Sequence, residues 1–140
     1  MMKSFTIQEN SMTETIFSIG HSNKKIEQFI EKMLLHKIDV LVDIRSFPRS
    51  RFCPWFNEKR LAETLKDANV TYLFKGNNLG GMAQNTGYED GIVELSTLVK
   101  SGKKVCVMCS EADHTKCHRT ETIEPSLKEC DVEMVHIQYT

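Results

Sequence analysis

The side chains best suited to chemistry are concentrated in residues 105–119. This segment begins with an uninterrupted apolar run, which is typical of a strand buried on both faces. The run leads into three reactive side chains: Cys109, Ser110 and Glu111. After a short polar break, three more follow where a helix pattern begins: Cys117, His118 and Arg119. A strand end and a helix start with this many reactive groups indicate a functional site.

Cys109 is the predicted reactive group. A thiol at a strand end that faces a helix N-terminus and nearby cations can have its pKa lowered, which produces thiolate at neutral pH. The alternative is that Cys109 is the last buried residue of its strand, because a free cysteine packs as a small hydrophobe. A Cys-x5-Arg loop, the usual form of sulfur-transfer and thiol phosphatase sites, would need arginine at Thr115, and Arg119 comes too late. Those two enzyme classes are therefore not predicted in their usual form.

Proton transfer and metal binding are further uses of these side chains. Glu111, His118 and His21 are the predicted proton carriers, although a strand-end carboxylate is equally suited to a salt bridge with arginine. Zinc is the alternative ligand, with Cys109, Cys117 and His118 as a soft ligand set. Their spacing matches none of the common zinc patterns, so we expect no cofactor, with zinc as the less favoured hypothesis.

A third group of residues is suited to binding an anion. Arginine binds phosphate through paired hydrogen bonds, and the residues predicted to contact an anionic substrate are Arg45, Ser46, Arg49, Arg119, Ser22, Gly80 and Gly81. Structural salt bridges to acidic neighbours are the alternative role of the arginines. Residues 47–56 mix arginines, prolines and aromatics, a composition suited to stacking on bases or to folding the rings onto the domain or a partner subunit. The chain has no P-loop and no G-x-G-x-x-G, so an ATP or dinucleotide site is not predicted.

The hydrophobic pattern indicates the elements that must position these residues. Five β-prone runs alternate with four helical patterns, and the runs lie at residues 15–19, 40–42, 70–74, 105–109 and 134–137. The clearest helix carries an apolar stripe from Ile26 to Leu34, and Pro125 predicts a kink or break in the last helix. This order predicts an α/β fold: a three-layer, doubly wound, mostly parallel sheet of about five strands with helices on both faces.

Ligands of such sheets bind outside the carboxyl ends of the strands. His21 and Arg45 each follow a predicted strand, as does the glycine- and asparagine-rich segment at residues 75–86, and Cys109 is the last residue of another. We therefore expect residues that are distant in sequence to share one rim of the sheet.

Length and composition set the broad class. The 140 residues, 40% hydrophobic and 26% charged, predict a flexible polar lead-in at residues 1–12 and a single α/β domain at residues 13–140. A net charge of −1 gives no bulk electrostatic argument for nucleic acid or membrane, and no apolar run is long enough to span a bilayer. Five cysteines without a disulfide framework, and no signal peptide, predict a cytoplasmic protein with reduced thiols.

Four motifs carry a family resemblance: Ser18-Ile19-Gly20-His21-Ser22, Val42-Asp43-Ile44-Arg45-Ser46-Phe47-Pro48, Leu79-Gly80-Gly81, and Met108-Cys109-Ser110-Glu111 with Cys117-His118-Arg119. Together they resemble family 488 of the domains of unknown function, over nearly the whole chain after the lead-in. The resemblance implies a small α/β domain and names no reaction.

Three hypotheses about function follow from these residues. The first is a small cytosolic enzyme, thiol-dependent or acid–base, that acts on a phosphate-bearing nucleotide or nucleic acid. The second is a non-catalytic nucleic-acid or nucleotide-binding module, in which the loop at residues 47–56 binds and the cysteines are structural. The third is a zinc-site protein. None of the three involves a membrane.

Overall fold

The computed structural model describes residues 13–81 and 86–139. The lead-in predicted at residues 1–12 lies outside these ranges, as do residues 82–85 of the predicted glycine- and asparagine-rich loop. Within them, five strands form one sheet: β1 Glu14–Gly20, β2 Val40–Asp43, β3 Thr71–Phe74, β4 Val105–Cys109 and β5 Val132–His136. Every strand pair is parallel, and the order across the sheet is β3-β2-β4-β1-β5.

The helices alternate with the strands: α1 Ile26–Leu35, α2 Glu58–Asp67, α3 Gly76–Leu79, α4 Tyr88–Lys100 and α5 Glu124–Lys128. Short 3-10 turns occupy Pro54–Phe56 and His114–Lys116, and a π-helical turn occupies Arg119–Ile123. An all-parallel sheet with helices around it confirms the predicted three-layer α/β fold.

Two apolar cores lie on the two faces of the sheet. Phe29 and Met33 of α1 are buried in one core together with Leu61 and Leu65 of α2. The second core contains the buried side chains of α4 and α5, among them Leu95. Helices that cover both faces explain why β2 and β4 consist almost wholly of buried residues.

The region around α3 and α5 differs from the pattern expected from the sequence. The short helix α3 lies within the segment predicted as a loop. Where the sequence predicts a kink or break at Pro125, the π-helical turn is followed directly by α5, and Pro125 lies in the first turn of α5. Proline is tolerated there because the first turn of a helix has no intrahelical acceptor for its missing N–H group.

The strand order creates a crevice between β2 and β4. From β1 the chain crosses to β2 and then β3 in one direction, whereas from β3 it crosses to β4 and then β5 in the other. The loops that follow β2 and β4 therefore leave neighbouring strands in opposite directions. Such a point is where open parallel sheets bind their ligands.

Candidate functional site

A cavity of about 440 Å³ lies at the carboxyl ends of β2 and β4. The segment after β2 contributes one wall: Arg45, Ser46, Phe47 and Arg49. The end of β4 and the turns after it contribute the other: Cys109, Ser110, Glu111, Lys116, Cys117, His118 and Glu121, and Gly81 completes the lining. The cavity thus brings together side chains that are up to 76 residues apart, from Arg45 to Glu121.

Two thiols face each other in this cavity. The sulfur atoms of Cys109 and Cys117 are 2.7 Å apart, and both residues are buried. The hydrogen bond from the Cys109 thiol is the largest cause of a lowered pKa at Cys117, with smaller contributions from His118 and Arg119. The same shared hydrogen bond, and then burial, raise the pKa of Cys109. The two pKa shifts belong to one hydrogen-bonded pair, which shares a single proton between its sulfurs when it carries one negative charge.

Arg119 lies directly behind this pair and is fully buried. Its Nη1 donates to the Cys109 sulfur and, at 2.7 Å, to the Glu111 carbonyl oxygen, while its Nε donates to the Ser18 hydroxyl at 3.1 Å. Among residues 13–81 and 86–139, no carboxylate forms an ion pair with Arg119. Because an uncompensated buried charge is costly, the thiolate of the cysteine pair is the natural counter-charge of this guanidinium.

Arg45 is held by a different set of partners. Its Nε and Nη2 donate to the two carboxylate oxygens of Asp43, at 2.9 and 2.7 Å, and Nη2 also donates to the Phe56 carbonyl oxygen. Arg45 therefore forms the structural salt bridge that was the alternative to anion binding, and it also lines the cavity. The hydroxyl of Tyr72 donates to the same carboxylate at 2.6 Å. Asp43 fixes Arg45 at the end of β2.

His21 lies behind Arg45 and not on the cavity wall. Its Nδ1 is 2.8 Å from the Ser22 carbonyl oxygen, which makes Nδ1–H the donor, and Nε2 accepts from Arg45 Nη1 at 3.3 Å. Burial is the largest cause that lowers the pKa of His21 to about 4, and the ring stacks on Phe56. The imidazole is therefore neutral, with a hydrogen bond at each ring nitrogen, and it is placed to orient Arg45. The sequence predicts a proton carrier at His21.

The remaining predicted residues divide between the wall and the layer behind it. Gly81 lies against His118, since a Cβ atom at Gly81 would be 2.7 Å from His118 Nδ1. Gly80 is buried, and a Cβ atom there would meet Ser46. Ser22, like His21, is not part of the lining. The Nε2 atom of His118 is buried and has no hydrogen-bond partner within the described part of the chain.

Some residues of the cavity have a role that sequence reasoning missed. The sequence patterns single out neither Lys116 nor Glu121, and the specific role they suggest for Cys117 is that of a zinc ligand. A signal was available in the second thiol eight positions after Cys109. The turn at His114–Lys116, where Asp113 accepts from the Thr115 backbone N–H at 3.0 Å, reverses the chain and returns Cys117 to the first thiol.

A metal at these thiols fits the geometry poorly. Over the described ranges, no group of three His, Cys, Asp or Glu side chains is placed to hold a metal ion. Two thiolates on a tetrahedral zinc ion would be roughly 3.8 Å apart, given Zn–S bonds of about 2.3 Å. The 2.7 Å separation of the two sulfurs is too short for that arrangement.

The fold and the cavity define a small parallel α/β domain with a two-cysteine pocket at its topological switch point. Residues 25–87 match the family described as Domain of unknown function DUF488. This is the family that the sequence motifs resemble, and the matched residues include the wall after β2 but neither of the two cysteines. Searches of curated proteins and of solved structures found no match. Within the described residues, none of the helices has the length and apolar character needed to cross a bilayer.

Proposed function

We propose that this protein is a small thiol-dependent enzyme that acts on a phosphate-bearing substrate, a nucleotide or a nucleic-acid end, in the cavity between β2 and β4. Cys117 is the nucleophile, in place of the Cys109 favoured by the sequence, and Cys109 donates the hydrogen bond that stabilises its thiolate. The observation that carries the proposal is the buried, carboxylate-free Arg119 beside the cysteine pair.

The support for a thiolate is electrostatic. A buried guanidinium and a hydrogen bond from a neighbouring thiol both favour the charged form of sulfur. The pKa of Cys117 is accordingly lowered. By contrast, burial raises the pKa of Cys106, the other cysteine of β4. We therefore expect the Cys106 thiol, in the interior of β4, to be inert, and the Cys109–Cys117 pair, at the end of β4, to be reactive.

The support for a phosphate group is the polar lining opposite the thiols. Arg49 and Lys116 bring cationic side chains to the cavity, and Ser46 and Ser110 bring hydroxyl groups. Both cations are largely exposed, and Lys116 is 4.0 Å from the exposed Asp113 carboxylate, so neither is locked into a buried salt bridge. In the proposed step the Cys117 thiolate attacks the phosphorus atom, and the bond from phosphorus to the leaving oxygen breaks. His118 or Glu111 on the same wall would deliver a proton to that oxygen.

Alkylation by iodoacetamide, resolved by residue with mass spectrometry, tests both parts of the proposal. Cys117 should react at a pH well below the ordinary thiol range, and inorganic phosphate or a nucleoside monophosphate should slow this reaction. Cys130 is the internal control, because it is a partly exposed free thiol outside the cavity. If Cys117 and Cys130 titrate together, and phosphate protects neither, the proposal is wrong.

One observation favours nucleic-acid binding as a second candidate function. Phe47 and Phe52 are 65% and 84% exposed, and the exposed Arg49 and Arg51 lie between them in the sequence. Exposed rings interspersed with cations suit bases that stack while phosphates are contacted. Binding of a labelled single-stranded oligonucleotide at low salt should weaken several-fold in Phe52→Ala. The control is Leu35→Ala on α1, which also removes an exposed apolar side chain.

The oligonucleotide experiment also has a clear negative result. Equal binding by the Phe52→Ala and Leu35→Ala variants, or no binding even at low salt, would exclude the loop as a nucleic-acid surface. A binding constant that does not fall with added salt would exclude phosphate contacts, since these release counterions.

A further inference from the structure

We propose that Cys109 and Cys117 are a redox-active pair that forms a reversible disulfide and exchanges it with low-molecular-weight disulfides and thiols entering the cavity. This inference goes beyond the proposed function, because it requires the two thiols but no phosphate-bearing substrate.

The geometry brings the two sulfurs close to bonding distance. They are 2.7 Å apart, whereas a disulfide bond is about 2.0 Å long. Cys109 is fixed by the central strand β4, and Cys117 follows the turn that Asp113 caps through the Thr115 backbone N–H and hydroxyl. Only a small movement of this exposed turn is needed for the bond to form.

The exchange balances without any further reactant. The Cys117 thiolate attacks one sulfur of a small disulfide, a mixed disulfide forms at Cys117, and one thiolate leaves. Cys109 then gives up its proton and attacks the Cys117 sulfur, so that the second thiolate leaves and an internal disulfide remains. In total, the pair loses two electrons and one proton, the charge of its thiolate disappears, and the small disulfide is reduced to one thiol and one thiolate.

Arg119 sets the direction in which this pair works. In the reduced form the buried guanidinium faces the shared thiolate, whereas in the disulfide form that negative charge is gone. Interactions that stabilise the reduced form make a dithiol pair more oxidising. The disulfide of this protein should therefore readily oxidise small thiols. Formation of that disulfide should also inactivate the proposed enzyme, because Cys117 is then no longer a free thiolate.

The other cysteines have no comparable arrangement. Cys106 and Cys53 are buried in the core on the opposite face of the sheet from the pair, and Cys130 follows α5. Only Cys109 and Cys117, among the cysteines, line the cavity. The exchange is thus confined to one pair, which gives a matched control.

Glutathione disulfide is the probe for this activity, with the products identified by mass spectrometry. The protein should lose two hydrogens without gaining glutathione, and alkylation should then miss Cys109 and Cys117. Cys109→Ser should instead trap a stable glutathione adduct on Cys117, while Cys130→Ser should behave like the parent. A stable glutathione adduct on Cys109 or Cys117 of the parent protein, or no reaction of this pair at any ratio of glutathione disulfide to glutathione, would overturn the inference.

Arg119→Lys and Arg119→Met test the direction of exchange. We expect the internal disulfide of Arg119→Met to persist at glutathione ratios about tenfold more reducing than the parent tolerates, in accord with a lost charge-assisted hydrogen bond. The shift in Arg119→Lys should have the same direction and a smaller size. An unchanged ratio in both folded variants would contradict the role of Arg119. Protection of Cys117 by phosphate is measured separately, under reducing conditions. If phosphate does not protect Cys117 but the reaction with glutathione disulfide proceeds as expected, only the proposed enzyme is rejected.

Discussion

Replacing Arg119 by methionine is the sharpest single perturbation of the site. The guanidinium is fully buried and donates to the Cys109 sulfur, the Glu111 carbonyl oxygen and the Ser18 hydroxyl. Methionine fills a similar volume but donates no hydrogen bond and carries no charge. The variant therefore removes the counter-charge of the thiolate while it keeps much of the packing.

The magnitude follows from the contacts. A hydrogen bond to a charged group contributes about 1.5–3 kcal/mol, and one pKa unit corresponds to about 1.4 kcal/mol. Loss of the bond from Arg119 should therefore raise the lowered pKa of the cysteine pair by roughly 1–2 units. Arg119→Lys keeps a charge without the planar donor geometry, so we expect a smaller rise in that variant.

The assay is the pH dependence of iodoacetamide alkylation at Cys117, read by peptide mass spectrometry, with Cys130 as the internal standard. Circular dichroism establishes that each variant is folded at the assay temperature. An inflection for Cys117 that is the same in the parent and in folded Arg119→Met would refute the electrostatic reasoning. So would a shift of equal size at Cys130.

Three further predictions concern the residues around the pair. His21 has a folded pKa of about 4, below the 6.5 of the unfolded chain, so its contribution to stability is complete above pH 6.5 and is lost as pH falls to 4. The loss is roughly 3 kcal/mol, and urea unfolding at several pH values should show it in the parent but not in His21→Gln. Gly81→Ala should displace the His118 ring and weaken phosphate protection of Cys117 several-fold, with little change in melting temperature; full protection would contradict this placement. Tyr72→Phe should lower the free energy of unfolding by about 1–3 kcal/mol, because buried Asp43 loses a 2.6 Å hydrogen bond; urea denaturation measures the change, and an unchanged midpoint would exclude it.

The elements were predictable where burial alone dictates the pattern. The five consecutive apolar residues of β4 give a strand with the bounds expected from the sequence, Val105–Cys109. The stripe of α1 likewise predicts which side chains, such as Phe29 and Met33, enter the core. Buried side chains recur with the period of the helix or strand that carries them, so a single sequence shows which residues enter the core.

The partners of polar side chains were less predictable, because they depend on how distant segments approach each other. Asparagine is favoured at N-cap positions, and Asn57 occupies that of α2, yet its side chain accepts from the Ser50 backbone N–H and does not cap the helix. Spacing likewise excluded Arg119 from a Cys-x5-Arg loop, and Arg119 still reaches the Cys109 sulfur after the chain reverses in a 3-10 turn. Such reversals are set by local turn chemistry and not by hydrophobic period.

The position of β4 at the centre of the sheet has a consequence for synthesis on the ribosome. In the sheet, β1 pairs only with β4 and β5, and β2 is separated from β1 by β4. The first two strands to be synthesised therefore do not pair with each other. They become part of one sheet only when residues 105–109 have been made and have inserted between them. Until then the nascent chain exposes apolar strand edges, which are sites of misassembly. The strand that carries Cys109 joins the two halves of the sheet, and the reactive pair is completed only after most of the chain has been made.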